Sequence, residues 1–339
     1  MKLNALNVLV CPACKSSMTL TTNEKNGLEV MTGRLHCTEC DSAYPIARGI
    51  PRFVSADSYA TSFGRQWNWF RTVQLDSMNG TQESERALRT TTGWQDRDYA
   101  GALVLDAGVG AGRFAECAAR KGAEVFGVDL SAAIDAAFDN IGRLENVHLV
   151  QADIFSMPFR EGTFDRAYSI GVLHHTPDTR AAFDRVAAAV RPGGSLAVYL
   201  YDRHGFGHIF PDFWRRFTTR LPLSVMSVIT MAAIPLYYLY RLPFIGKILN
   251  VVLPISMDRN WRWRWLDTFD WYTPRYQWKH LYPEVFRWFR ENSFTDVSIF
   301  DGPIRMSGVK AAAPVAMPSA PPPALLDRSR TETAALRYI

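Results

Sequence analysis

The sequence predicts an α/β fold in which a parallel sheet carries helices on both faces. Between residues 101 and about 200, apolar runs of β type alternate with alanine-rich stretches of helical type. The length of 339 residues allows a sizeable core with an accessory module, and 47% hydrophobic with 21% charged residues is typical of globular proteins. A formal net charge of +5 is too small to indicate a nucleic-acid partner by itself.

Composition divides the chain into three regions. Residues 1–54 carry two cysteine pairs, and residues 55–310 carry the α/β pattern, broken between about 203 and 280 by a hydrophobic, aromatic insertion. Residues 311–339 are rich in Ala and Pro, so we expect a disordered tail. The N-terminus lacks the apolar core and cleavage site of a secretory signal, and we therefore expect a cytoplasmic protein.

Four cysteines form two CxxC pairs, Cys11 with Cys14 and Cys37 with Cys40. Two such pairs on separate turns can surround one tetrahedral zinc ion, and metal binding would then supply folding energy to this small module. A redox role is the alternative for a single CxxC, but two pairs at this spacing favour a structural metal. We expect the fifth cysteine, Cys117, to be a buried core thiol.

A characteristic ending follows the second cysteine pair, in the sequence YPIARGIPRF from Tyr44 to Phe53. With the CPxC and CxxC pairs, this YPI-x-x-GIP ending resembles the small zinc-ribbon family of methyltransferase activators. The resemblance covers about the first fifty residues. It implies a structural zinc and a docking role toward a protein partner, not catalysis.

A glycine loop follows the first strand of the α/β region, in the sequence LVLDAGVGAGRF from Leu103 to Phe114. Gly108, Gly110 and Gly112 allow the backbone to approach a ligand closely, and the N-terminus of the next helix favours negative groups. Dinucleotide-binding folds have a similar loop. Asp106 discriminates between the two, because its carboxylate would be repelled by a pyrophosphate.

The loop and the acids that follow it resemble class I S-adenosylmethionine-dependent methyltransferases, with their D-x-G-x-G-x-G motif. The resemblance implies that Asp106 helps to position the methionine end of S-adenosylmethionine. Asp129 ends the second strand, where its carboxylate can accept both ribose hydroxyls. Asp153 would accept from the adenine amine, and Ile154 would pack against the ring.

The same resemblance implies a Rossmann-like sheet of seven strands, with an antiparallel last strand inserted by a terminal hairpin. The sequence predicts that hairpin at residues 294–310, with a turn at Asp301-Gly302-Pro303.

Candidate catalytic residues follow the fourth strand, where this family places its reacting centre. His174 and His175 have the intrinsic pKa of a general base, and the alternative is that they shape the loop. Gln66 and Trp67 lie in a segment similar to the SFG-x-QW helices that cover the cofactor in some small-molecule methyltransferases. The alternative there is an amphipathic helix that covers the sheet.

The insertion begins with an uncharged run, Leu221 to Tyr240, that is long enough to cross a bilayer. Prolines interrupt the run and the terminal hairpin must return to the sheet, so we expect no true span. Two alternatives remain: a helical lid over the acceptor, or a monotopic hairpin resting on a membrane surface. Tyr272, Arg275 and Tyr276 follow the insertion and are candidate acceptor contacts.

The sequence therefore predicts a methyltransferase for a small-molecule or lipid-linked, partly apolar acceptor, in the cytoplasm or peripheral at the membrane. One alternative is an RNA methyltransferase that uses the ribbon to dock RNA or a partner. The ribbon is not strongly basic, which makes nucleic acid the less favoured partner. The second alternative is a scaffold protein that binds S-adenosylmethionine without turnover.

Overall fold

The computed structural model describes residues 1–54, 71–203 and 209–312. Two of the predicted cofactor contacts, Gln66 and Trp67, and nearly all of the predicted tail lie outside these residues.

The N-terminal module is a small antiparallel sheet. Its strands follow one another in the order β1-β2-β3-β4. Their bounds are Met18–Asn26 (β1), Glu29–Cys37 (β2), Ala43–Ala47 (β3) and Ile50–Pro51 (β4). Buried Val30, Leu35 and Ile46 form its apolar side. Both cysteine pairs lie at one end of this sheet, with Cys37 the last residue of β2, which brings them together.

In the described residues the main sheet has seven strands, in the order β10-β11-β9-β8-β5-β6-β7. Strands β5 to β9 run parallel, and β11 lies antiparallel between β9 and β10. This arrangement confirms the predicted fold and its terminal hairpin. The bounds are Leu103–Ala107 (β5), Glu124–Asp129 (β6), Val147–Gln151 (β7), Phe164–Ile170 (β8), Val190–Tyr199 (β9), Phe294–Phe300 (β10) and Arg305–Lys310 (β11).

Helices cover both faces of the main sheet. Successive strand residues point to opposite faces, so Val104 and Leu105 belong to different core clusters. The bounds before the insertion are Asp76–Asn79 (α1), Glu83–Thr92 (α2), Arg113–Arg120 (α3), Ala133–Ile141 (α4) and Thr179–Ala189 (α5). The α3 and α4 helices pack with Val104, whereas α5 packs with Leu105.

The insertion forms a helical layer of its own. Its described helices are Ile209–Thr218 (α6), Leu223–Met231 (α7), Ala233–Tyr240 (α8), Ile245–Val252 (α9) and Trp261–Tyr272 (α10), and Tyr282–Glu291 (α11) then returns to the sheet. The α10 helix contacts α6, α7 and α8. The Trp265 indole nitrogen donates to the Ser227 carbonyl at 3.0 Å, which ties α10 to α7.

The apolar run predicted in the insertion is helical. In the described residues, the window Leu223–Tyr240 is long and apolar enough to cross a membrane by length and composition, and 22% of it is buried. That buried share is low for a core helix, and about half of the window is exposed.

The N-terminal module docks against β7, at the edge of the main sheet. Arg52 forms an isolated bridge with Gln151, and the Phe53 amide donates to the Gln151 carbonyl at 2.8 Å. The Arg52 guanidinium also pairs with Asp135 of α4 at 2.8 Å, and both side chains are less than one-fifth exposed. Arg48 reaches the same carboxylate at 3.3 Å, but its side chain is 58% exposed.

Because these two arginines share Asp135 and differ in burial, they give a matched test of the docking contact. We expect Arg52→Ala to lower the free energy of unfolding by about 2 kcal/mol, since it removes hydrogen bonds to a largely buried carboxylate. Arg48→Ala is expected to change it by less than about 0.5 kcal/mol, because water screens an exposed pair. Urea denaturation measures both, and equal losses would contradict the role of burial.

Candidate active site

The glycine loop after β5 forms the floor of a cavity of about 320 Å³. Gly108 has φ +97°, and a Cβ there would lie 2.4 Å from Val172. Gly112 has φ +93°, and a Cβ there would lie 2.6 Å from Ile141. Both positions therefore require glycine, for backbone conformation and for space. Gly108 and Gly110 line the cavity, and the N-terminus of α3 follows directly.

Asp129 lies at the carboxyl end of β6 and lines the same cavity. Its carboxylate accepts from the Gly110 amide at 3.0 Å and from the Ser131 amide and hydroxyl at 2.8 and 2.7 Å. Burial raises the pKa of Asp129, and these donors oppose the rise. A carboxylate has about four lone-pair positions, so after these three donors about one remains for a ligand hydroxyl.

Asp106 lies behind the glycine loop and is not among the residues that line the cavity. It is 2% exposed and accepts from the Tyr168 hydroxyl at 3.1 Å. Burial raises the pKa of Asp106 to about 8, although the Tyr168 hydrogen bond opposes the rise. Asp106 therefore supports the loop from below, and its role in positioning the cofactor stays a prediction.

The adenine-side residues follow β7. Ile154 lines the cavity, as expected for a residue that packs against a ring. Asp153 does not line it, and instead its carboxylate accepts from the Phe155 amide at 3.0 Å, capping a short 3-10 helix. In this structure Asp153 therefore fixes the position of Ile154.

The two histidines separate in role. His175 lines the cavity, and its Nδ1 lies 2.8 Å from the Tyr276 carbonyl, which indicates the Nδ1–H tautomer with Nε2 as an acceptor. His174 does not line the cavity and packs its ring 4.0 Å from that of Tyr201. Burial lowers the pKa of His174 well below its usual range and the pKa of His175 to about 4. Both are therefore neutral at pH 7, and His175 is a weak base.

The insertion closes the cavity through one face of α10. Leu266, Asp267, Asp270 and Trp271 line it. Burial raises the pKa of Asp267 to about 7, and the nearby Asp270 charge adds to the rise. Sequence reasoning missed these residues, although their spacing along a helix could have grouped them on one face.

The acceptor contacts expected from the sequence lie elsewhere. The Tyr272 hydroxyl donates to the Pro254 carbonyl at 2.8 Å, within the insertion. Arg275 is exposed, with its guanidinium 5.5 Å from the Tyr276 ring. Tyr276 contributes its carbonyl to His175. None of the three is among the cavity-lining residues.

A hydrogen-bonded chain links the loop to the insertion across the cavity. The Arg113 guanidinium donates to the Gln74 side-chain oxygen at 2.5 Å, and the Gln74 amide donates to Asp267 at 3.5 Å.

The cavity fits S-adenosylmethionine in three respects. These are the open glycine floor, the Asp129 carboxylate and the apolar wall at Ile154.

The cysteines meet at the end of the N-terminal module. The four Sγ atoms lie within 4.8 Å of one another, and pairs such as Cys11 with Cys40 are 3.7 Å apart. A tetrahedral zinc ion with Zn–S bonds of about 2.3 Å needs sulfur atoms about 3.8 Å apart. The set Cys11, Cys14, Cys37 and Cys40 is therefore compatible with a structural zinc. Cys117 is buried, as expected for a core thiol.

The sheet order, the glycine loop and Asp129 define the fold of class I S-adenosylmethionine-dependent methyltransferases. Residues 105–198 match the family model described as methyltransferase domain, and residues 2–49 match the model described as Trm112p-like protein. The chain therefore contains both kinds of domain. The match to the methyltransferase-domain model ends at residue 198, before the insertion. It therefore includes the glycine loop and Asp129 but not α10.

Curated relatives are similar over part of their length. Methyltransferase GfsG of Streptomyces halstedii is 36% identical over 29% of this chain and 37% of its own. Phosphoethanolamine N-methyltransferase 2 of Caenorhabditis elegans is 26% identical over 46% and 35%. Sterol 24-C-methyltransferase ERG6 of Saccharomyces cerevisiae is 29% identical over 43% and 39%. The chain thus spans little more than a third of the length of these relatives.

One of the solved structures with detected similarity is a complex. It joins the Haloferax volcanii Trm112 methyltransferase activator to a methyltransferase, is 11% identical, and has a TM-score of 0.46 over 74% of this chain and 97% of that chain.

Burial of His175 predicts a pH dependence of stability. Its pKa of about 4 in the folded state lies below the unfolded value of about 6.5. The unfolded state therefore binds the proton first, and this group removes about 1.4 kcal/mol of stability per pH unit as the pH falls from 6.5 to 4. Urea denaturation of wild type and His175→Gln across this range measures the effect. A wild-type-minus-variant difference that stays constant with pH would contradict it.

Proposed function

We propose that this chain is an S-adenosylmethionine-dependent methyltransferase for a small-molecule or lipid-linked, partly apolar acceptor. The observation that carries the proposal is the cavity in which the glycine loop and Asp129 face α10. The glycine loop and Asp129 form the cofactor side of this cavity, and α10 closes its acceptor side. Relatives whose names specify phosphoethanolamine and sterol methylation support a small-molecule acceptor.

The bound cofactor supplies an electrophilic methyl group on a positively charged sulfur. Transfer would form a bond from an acceptor lone pair to this carbon and leave the carbon–sulfur electrons on sulfur, and the acceptor would release any proton it carried. The protein must mainly align these atoms and exclude water. We assign the alignment to the loop and Asp129, and the exclusion of water to Leu266 and Trp271 of α10.

His175 is the candidate that touches the acceptor. Because it is neutral at pH 7, its Nε2 can accept a hydrogen bond from an acceptor hydroxyl or amine and so orient the lone pair. Tyr201 lines the cavity nearby, and burial raises its pKa well above the usual range, so its hydroxyl stays protonated and can donate. The low basicity of His175 favours an orienting role over full proton removal. His174 then acts as packing behind it.

The role that we propose for the N-terminal module is docking within the same chain. Its cations already contact the methyltransferase domain, as Lys2 donates to the Gly142 and Val147 carbonyls at 2.8 and 2.9 Å and Lys15 to the Met157 carbonyl at 2.7 Å. Cations used in this way are less available to RNA. The family resemblance also implies that this module docks to a separate protein partner, and we keep that role as a proposal.

The cofactor assignment predicts the effect of removing Asp129. Asp129→Ala is expected to weaken S-adenosylmethionine binding by at least about tenfold, since hydrogen bonds to a charged group contribute about 1.5–3 kcal/mol. Isothermal titration calorimetry measures the affinity. Asp184→Ala is the matched control, because that carboxylate pairs with Arg180 on α5. Equal affinities for both variants and wild type would refute the ribose role.

Methyl transfer itself is tested with a labelled methyl group. The purified full chain is incubated with methyl-labelled S-adenosylmethionine and a cell extract, which is then fractionated into small molecules, lipids, RNA and protein. We expect label in the small-molecule or lipid fraction, and its loss with Asp129→Ala. Label confined to RNA would favour an RNA methyltransferase, and cofactor binding without any transferred label would favour the scaffold.

A further inference from the structure

Exposed apolar side chains are concentrated in the outer part of the insertion. Among the described residues, 18 of 25 exposed large hydrophobic side chains lie between Phe210 and Trp261. That segment is a small part of the chain, so the concentration is a patch and not the usual scatter of single residues. We call the exposed face of α6 to α9 the outer insertion surface.

The exposed residues follow helical spacing, which shows that whole helix faces are turned outward. Positions three or four apart share one side of a helix. A helix of a soluble protein normally turns such a stripe toward the core. The exposed stripes are Phe210, Phe213 and Phe217 on α6; Val225, Val228 and Ile229 on α7; and Ile245, Ile248 and Val251 on α9.

Cations surround this apolar surface, and the few acids near it, Asp212 and Asp258, lie at its ends. Arg241 and Lys247 lie within it, and no Asp or Glu occurs between Leu221 and Met257. The exposed cations of the region make no ion pair with any described residue. They are Arg216, Arg220, Arg241, Lys247, Arg259 and Arg262. The nearby acid Asp212 is paired with Lys279.

We propose that the outer insertion surface binds an anionic phospholipid bilayer as a monotopic surface. Apolar stripes flanked by unpaired cations match the two attractions that hold interfacial helices, apolar burial at the headgroup boundary and attraction to anionic lipids. A partner protein or a second copy of the chain would have to supply acids at several separate positions. An anionic bilayer presents negatively charged headgroups over its whole surface. The inference does not depend on methyl transfer.

The α7–α8 window lies on the membrane in this proposal and does not cross it. Both halves of the window are tied to α10, since Trp265 donates to Ser227 and the buried Arg264 guanidinium donates to the Ile234 carbonyl at 3.3 Å. A spanning helix would break these bonds or carry Arg264 into the hydrocarbon, which is costly. The helix that closes the cavity is therefore the one beneath the membrane-facing layer.

The test is co-sedimentation of the full chain with phosphatidylcholine vesicles that contain or lack phosphatidylserine. We expect binding to the anionic vesicles, weaker binding in high salt, and much weaker binding to neutral vesicles. Ile248→Ser is expected to lower the partition coefficient by roughly tenfold, because it removes one apolar side chain from the contact. The double variant Arg241→Gln, Lys247→Gln should lose roughly fivefold per residue on anionic vesicles.

Matched controls use equally exposed residues elsewhere. Ile248 is 65% exposed and Ile299 on β10 is 56% exposed, so Ile299→Ser should bind as wild type does. Lys25→Gln with Arg34→Gln, both exposed on the N-terminal module, controls for charge. Calorimetry with S-adenosylmethionine reports separately on the cofactor site.

Three outcomes would overturn the proposal: no binding to either vesicle, equal effects of Ile248→Ser and Ile299→Ser, or self-association without vesicles that Ile248→Ser abolishes. Sedimentation velocity detects the last of these.

Discussion

The hydrogen bond from the Gly110 amide to Asp129 joins the loop after β5 to the end of β6, and the candidate site depends on it. Parallel strands end at one edge of a sheet, which brings these two chain segments together. The bond fixes the loop in a conformation that only glycines tolerate, and it holds the carboxylate over the cavity. Asp106 and Tyr168 support the same loop from beneath. The Asp129 carboxylate thus faces the cavity, while the buried Asp106 supports the loop.

The insertion has an inner layer that lines the cavity and an outer layer that faces the surface. Its inner helix, α10, gives Asp267, Asp270 and Trp271 to the cavity. Its outer helices give most of their apolar side chains to the surface. The lid and the membrane surface, which the sequence left as alternatives, therefore need not exclude each other. A single layer could not serve both, because a helix cannot turn the same stripe toward the cavity and away from the protein.

Sequence reasoning reached the sheet, the hairpin and the cysteine cluster because each depends on local patterns. Alternating apolar runs, glycine spacing and CxxC pairs are all readable within a few residues. It did not reach Asp267 and Asp270, since their position depends on how α10 docks across the cavity. Nor did it reach the place of Asp106, which burial and the Tyr168 hydroxyl hold behind the loop. Contacts between distant segments require the three-dimensional fold.

The docked N-terminal module has a consequence for solubility. In the described residues, β7 ends the sheet order and would offer unpaired backbone groups to other chains. The Lys2 ammonium donates to the Val147 carbonyl at one end of the strand, and the Phe53 amide donates to the Gln151 carbonyl at the other. The module thereby blunts an aggregation-prone edge. A zinc ion bound by the cysteine cluster would stabilise the module that covers this edge, and so would oppose aggregation of the chain.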